Sequence, residues 1–228
     1  MKTKKTPYYK IVFTFLTLSL IILRANGQEI VEKKNGGEKQ ASYLFASAGV
    51  SIPQENGLPN VNASSGPQIT LGYNIFFAKR WGMGLVVSGS VYKSEAVNEY
   101  SMSSGNNYFS SSPTQNWQKT ESYISFSYTP ILQKRWVIDI VQGFGFFHIK
   151  KPAYDYSYYG SYYKEPSKTS WNTGYNIGLI GRVILKNNVG LFVKGNFFYN
   201  TGIIKNNSAV SAFNSVDCEL GIVVNLKK

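Results

Sequence analysis

The chain has very little of what most soluble enzymes need. It holds one cysteine, Cys218, and one histidine, His148, in 228 residues. One cysteine excludes a disulfide framework within the chain and any cysteine-rich zinc site. No HExxH, phosphate-binding loop or EF-hand pattern occurs, so no cofactor or metal site is expected. Charge is scarce as well. Only 16% of residues are Asp, Glu, Lys or Arg, which is low for a soluble surface. No apolar run of transmembrane-helix length follows Leu23, so a membrane fold would have to be a closed barrel.

The first residues read as a targeting segment. Lys2, Lys4, Lys5 and Lys10 form a basic start, Ile11–Leu23 an apolar stretch, and Ala25-Asn26-Gly27 a small-residue end. That is the pattern of a secretory signal peptide, expected to be cut between Gly27 and Gln28. Thirteen apolar residues are too few to cross a bilayer, which takes about 20. Residues 1–27 carry five cations and no acid, so setting them aside lowers the formal charge from +12 to +7. The remaining basic residues are scattered, and no nucleic-acid partner is expected. Residues 28–40 are polar and read as a flexible lead-in.

From there the apolar period is two, the signature of strands. Ile69, Leu71, Tyr73, Ile75 and Phe77 alternate with Gln68, Thr70, Gly72, Asn74 and Phe76. The same alternation marks Trp81–Tyr92, Glu121–Tyr128, Trp136–Phe146, Trp171–Leu185, Val189–Tyr199 and Val216–Leu226. Ser42–Ile52 is a weaker first strand, apolar on both faces. Eight strands result. One face is aliphatic and aromatic; the other is rich in Gly, Ser, Asn and Thr. Short connections near 79–81, 131–134 and 186–188 alternate with longer ones near 53–66, 94–118, 150–168 and 201–213. Trp81, Trp136 and Tyr128 lie at the short-turn ends, with Trp171 and Tyr199 at the other, as two interfacial girdles would require.

The last strand carries a further pattern, Glu219-Leu220-Gly221-Ile222-Val223-Val224-Asn225-Leu226. With its polar residue, glycine and two terminal hydrophobics (Glu219, Gly221, Val224, Leu226) it resembles the C-terminal β-signal of outer-membrane proteins. Lys227 and Lys228 follow, where many such proteins end on an aromatic residue. Residues 41–228 resemble the small eight-stranded outer-membrane barrel family, of OmpA and OmpX type. The resemblance implies an all-β fold: an eight-stranded antiparallel up-and-down transmembrane β-barrel with short periplasmic turns and longer extracellular loops. It also implies a bacterial outer-membrane location, contact with outer-membrane lipid and lipopolysaccharide, and handling by the barrel-insertion machinery.

An eight-stranded barrel is filled by side chains, and interior charges must pair. Counting from the short turns brings Asp139 opposite Arg182. Lys194 and Glu219 form a second expected pair, with Glu121 and Asp217 as further partners. Barrels of the resembled family hold interior ion-pair networks of this kind. Some members are lipid-modifying enzymes that use a histidine and a serine. Here His148 is followed by Ile149 and Lys150, so the His-x-Ser spacing is absent and no catalytic residue is expected. Tyr154, Tyr156, Tyr158, Tyr159, Tyr162 and Tyr163 crowd one long connection, separated by Asp, Ser and Gly. Tyrosine with serine and glycine makes a general contact surface, here for an extracellular glycan or protein. The leading expectation is a non-enzymatic barrel with a structural or surface-interaction role. The alternatives are a lipid-modifying barrel enzyme and a soluble periplasmic lipocalin-like barrel with an apolar ligand cavity.

Overall fold

The structure, a computed structural model, describes residues 40–56, 62–96, 98–100, 107–133, 135–185, 188–200 and 213–226. The expected signal peptide, the lead-in up to residue 39 and the 201–212 connection lie outside the described residues. In chain order the strands are β1 (Tyr43–Asn56), β2 (Asn62–Ala63), β3 (Gly66–Phe76), β4 (Trp81–Tyr92), β5 (Ser94–Glu95), β6 (Asn98–Tyr100) and β7 (Asn107–Pro113). They continue as β8 (Trp117–Leu132), β9 (Trp136–Lys151), β10 (Tyr154–Tyr158), β11 (Ser161–Glu165), β12 (Lys168–Ile184), β13 (Val189–Asn200) and β14 (Phe213–Asn225).

Eight of them close a barrel in the order β1-β14-β13-β12-β9-β8-β4-β3, every neighbouring pair antiparallel. Consecutive barrel strands are neighbours, so the topology is up-and-down. The closing seam pairs Tyr43 with Asn225 and runs to Asn56 opposite Phe213, with one register shift between Pro53 and Glu55. Closure leaves no unpaired edge, the condition for backbone to lie in lipid. Barrel strands of 11 to 17 residues exceed the 9–11 needed to span a bilayer, so several run past the membrane on one side.

The alternation decides which face meets lipid. Ile69, Leu71, Leu85, Val87, Phe144, Phe146, Leu179, Leu191, Leu220 and Ile222 are exposed on the outside. Gln68, Thr70, Ser88, Glu121, Asp139, Arg182, Lys194, Asp217 and Glu219 are buried inside. A soluble barrel would have the reverse arrangement. The inverted distribution belongs to a transmembrane barrel of the outer-membrane type. It also overturns the lipocalin-like alternative, because the interior is not an apolar cavity.

Several small residues on the inner face make room rather than bends. A Cβ built at Gly143 would lie 2.5 Å from Cδ2 of Tyr123 on the neighbouring strand. Phe45 covers Gly72, Phe198 covers Gly174 and Phe192 covers Gly221 in the same way. Each ring lies over a glycine of the adjacent strand.

The connections at the two ends differ. Residues 77–80, 133–135 and 185–188 link β3 to β4, β8 to β9 and β12 to β13. At the opposite end the long connections are themselves folded. β6, β7, β10 and β11 form a four-stranded sheet in the order β11-β10-β7-β6, joining two connections far apart in sequence. Tyr159 (φ 46°) and Gly160 (φ 82°) turn β10 into β11, and two consecutive positive φ angles are what a tight two-residue hairpin requires.

Candidate functional site

The barrel interior holds an apolar cluster at each end. At the short-turn end, Tyr43, Phe45, Phe76, Val86, Tyr123, Ile180, Phe192 and Val223 pack together. At the other end, Tyr92, Trp117, Phe147, Ile149, Tyr154, Phe198 and Phe213 do the same. Buried polar and charged groups lie between and against these clusters.

Asp139 and Arg182 meet at the short-turn level. The Arg182 Nε and Nη2 both donate to Asp139 Oδ2 at 2.8 Å, and Thr129 Oγ1 donates to Oδ1 at 2.6 Å. The guanidinium lies 4.4 Å from the Tyr43 ring centroid. The two residues are diagonal rather than directly opposite, since Arg182 pairs with Val137 and Asp139 with Ile180. Gln40 joins this level, accepting from Arg182 Nη2 at 3.2 Å and donating to Thr129 Oγ1 at 2.9 Å.

Lys194 and Glu219 stand directly opposite on β13 and β14, with Nζ 2.8 Å from Oε1. Glu219 also accepts from Gln68 Nε2 at 2.9 Å and Ser47 Oγ at 2.5 Å. Gln68 in turn accepts from Ser90. The expected further partners Glu121 and Asp217 take their direct contacts elsewhere, although the Asp217 charge still acts on Lys194. Glu121 belongs to Lys119, 2.5 Å away. Asp217 is held by the hydroxyls of Ser51 and Ser215 and by Asn196. Glu121 lies two residues from Lys119 on the inward row of the same strand, which is why the two pair.

Lys119 is the site residue that sequence reading missed. The sequence pattern starts this strand at Glu121, whereas β8 begins at Trp117, so Trp117 and Lys119 continue the inward row. The alternation of Trp117, Lys119, Glu121 and Tyr123 was the available signal. Lys119 Nζ donates to Ser215 Oγ at 2.8 Å and sits 4.6 Å from the Phe198 ring centroid, with Tyr92 and Phe213 near 6 Å. β8 and β14 are four places apart around the barrel, so this bond crosses the lumen. Lys194 Nζ also crosses it, reaching Tyr123 OH at 3.4 Å. The interior is bridged at both levels.

Tyr154, Tyr156 and Tyr158 share one face of β10, and distance from the barrel mouth divides them. Tyr154 is only 3% exposed and belongs to the aromatic cluster in the barrel mouth, and Tyr156 packs partly against it. The expectation that Tyr154 is a surface-contact residue is corrected: it lies at the barrel-proximal end of β10, buried in the mouth cluster, and Tyr156 is half-buried against it. Tyr158, Tyr159, Tyr162 and Tyr163 are exposed, Tyr162 at 87%. Tyr156 and Tyr163 stack across the hairpin at 5.1 Å between centroids.

The aromatic residues expected at the two rims lie there. Trp81 packs on Tyr128 at 4.6 Å between centroids, and Trp136 faces outward at the start of β9. At the far rim Trp171 faces outward against His148, 4.8 Å away. Thr120 of β8 stands opposite His148 on the other side. The terminal pattern is split between faces. Glu219 points inward, Gly221 lies under Phe192, Val224 is exposed to lipid, and the Leu226 N–H donates to the Ser42 carbonyl at 2.7 Å.

No protein-family model matches the chain, and no curated protein sequence matches it. Several solved structures are similar to the chain at low identity. Ail, the attachment invasion locus protein of Yersinia pestis, is 12% identical, covers 83% of this chain and 100% of its own, with a TM-score of 0.46. Neisserial surface protein A is 14% identical, covers 81% of this chain and 97% of its own, with a TM-score of 0.48. The outer membrane protease OmpT from Escherichia coli is 7% identical, covers 86% of this chain and 99% of its own, with a TM-score of 0.47. At such identities the likeness concerns architecture alone, and the barrel rests on the chain's own strand order and inverted polarity.

Proposed function

We propose that this chain is a non-enzymatic outer-membrane barrel that presents the β10–β11 hairpin to an extracellular glycan or protein. Residues 1–27 direct it across the inner membrane and are removed. The lumen bridged by Lys119 and Lys194 leaves the protein's outer surfaces to carry its role. The observation that carries the reading is the exposure of Tyr158, Tyr159, Tyr162 and Tyr163 at a hairpin beyond the barrel. Tyrosine presents large, rigid, amphipathic area at low entropic cost, and a tip of this composition suits contact better than it suits water. The hairpin's inner tyrosines anchor it to the mouth, so the contact face is held rather than loose.

The test replaces the four exposed tyrosines with serine and leaves Tyr154 and Tyr156 in place. Cells carrying the variant should lose surface adhesion or glycan capture while the purified barrel keeps its mobility shift on boiling. Adhesion equal to wild type, with the barrel intact, overturns the reading.

A further inference from the structure

The short-turn rim carries a repeat that the barrel alone does not demand. Lys79-Arg80-Trp81 leads into β4 and Lys134-Arg135-Trp136 leads into β9. The backbone handles the two arginines alike. The Arg80 carbonyl accepts from Thr129 N–H at 2.9 Å, and the Arg135 carbonyl accepts from Ile184 N–H at 2.9 Å. In both turns the tryptophan carbonyl closes the turn, accepting from Phe77 in one and Gln133 in the other. Each arginine is therefore pinned one residue beyond an outward tryptophan. Arg80, Arg135 and Lys79 are exposed. The two turns lie two strands apart, about 10 Å along the rim at ordinary interstrand spacing.

The charge of these turns is one-sided: among their described residues Lys79, Arg80 and Arg135 are the charged ones, with no Asp or Glu.

We propose that the paired Lys-Arg-Trp turns form a collar for anionic phospholipid headgroups of the periplasmic leaflet. Arg80 and Arg135 bind the phosphates, and Trp81 and Trp136 lie just above them at the glycerol level. Depth selects lipid over other anions. Tryptophan belongs at the membrane interface, and a turn of four residues cannot carry its arginine far from that plane. Arginine matches phosphate oxygens with a planar fork of donors, and a basic cluster at a membrane surface gains from each anionic headgroup it meets.

The test uses the full chain, in a Trp171→Phe background that removes the tryptophan of the far rim. The protein is refolded into phosphatidylcholine vesicles containing a minor fraction of bromine-labelled phosphatidylglycerol or bromine-labelled phosphatidylcholine. Tryptophan quenching then reports the lipid beside Trp81 and Trp136. The expected result is stronger quenching by phosphatidylglycerol, an enrichment of about fivefold per arginine at low salt. It should fall towards parity in R80Q/R135Q, further in K79Q/R80Q/R135Q, and as ionic strength rises. K150Q, at the opposite rim, should leave it unchanged. Equal quenching by the two lipids in the unsubstituted collar overturns the proposal, as does an enrichment that R80Q/R135Q leaves intact. Should a variant lose its mobility shift on boiling, the salt titration of the unsubstituted collar decides, and a salt-insensitive preference overturns it. Retention on purified cell-wall sacculi, with equal quenching by the two lipids, assigns the collar to that polymer instead.

Discussion

Glu219→Gln should destabilise the wild-type barrel and stabilise the Lys194→Met barrel. Lys194 is buried, donates to Glu219 at 2.8 Å and has Tyr123 OH as its other partner at 3.4 Å. Breaking a buried ion pair on one side costs about 3–5 kcal/mol, because the other charge remains buried. The interior charges set the sign. The buried charges among the described residues balance, four cations, Lys119, Lys151, Arg182 and Lys194, against four carboxylates, Glu121, Asp139, Asp217 and Glu219. Removing Lys194 alone leaves an excess of negative charge, which neutralising Glu219 then relieves. Glu219 would keep Gln68 and Ser47 after loss of the lysine, which places Lys194→Met near the lower figure, about 3 kcal/mol. On that background Glu219→Gln removes the stranded charge and should restore about 1–2 kcal/mol. The assay is a urea titration of the refolded barrel, with the folded fraction read from mobility on an unboiled gel. At an m-value of about 2 kcal/mol per molar, Lys194→Met lowers the midpoint by about 1.5 M and the double variant recovers part of it. Equal effects of Glu219→Gln in both backgrounds, to within about 0.5 kcal/mol, would refute the coupling.

Arg182→Lys should cost about 2 kcal/mol in the same titration, because a point ammonium cannot reproduce two guanidinium bonds to Asp139 and the ring contact with Tyr43; no loss would mean that the fork geometry is irrelevant. Gly143→Ala should cost about 1–3 kcal/mol by displacing the Tyr123 ring, whereas Gly181→Ala on the lipid face, with nothing within 4 Å of the new methyl, should stay within about 0.5 kcal/mol. His148→Ala should leave the lipid A mass spectrum of the host unchanged, and a lost or gained acyl species would revive the enzymatic alternative.

The barrel was legible because its signal repeats. Strands such as Gln68–Phe77 and Val189–Tyr199 alternate without interruption, and the structure keeps every one of those assignments inside or outside. The Asp139–Arg182 meeting was legible because both positions count from short turns, which limit the register. Lys194 and Glu219 were legible because β13 and β14 pair them directly. Lys119 was lost at a strand boundary, the least determined feature of any alternating pattern. The loop sheet was not legible at all: β7 pairs with β10, and those segments belong to different connections. The burial of Tyr154 depends on that pairing, so composition alone could not separate it from Tyr158. The glycines under Tyr123 and Phe198 were visible as small residues, but the rings they accommodate come from neighbouring strands and appear only once the register is known.

The buried charges are better understood as a device for register than as a source of stability. Buried ion pairs roughly break even against apolar packing of the same shape. A strand whose two faces were both apolar, however, could slip by one residue at little cost. β14 shows the consequence. Its inward row includes Asp217 and Glu219, and its outward row includes Leu220 and Ile222. A one-residue slip at the β1–β14 seam would turn both carboxylates into lipid, leaving Lys194 without Glu219 and Lys119 without Ser215. It would also drive Gly221 out from under Phe192 and set a side chain in its place. Every neighbouring register of the closing strand is therefore penalised at several heights at once. The first strand has the weakest alternation of the eight, so the seam it forms has most need of such a penalty, and β14 is where the carboxylates are concentrated.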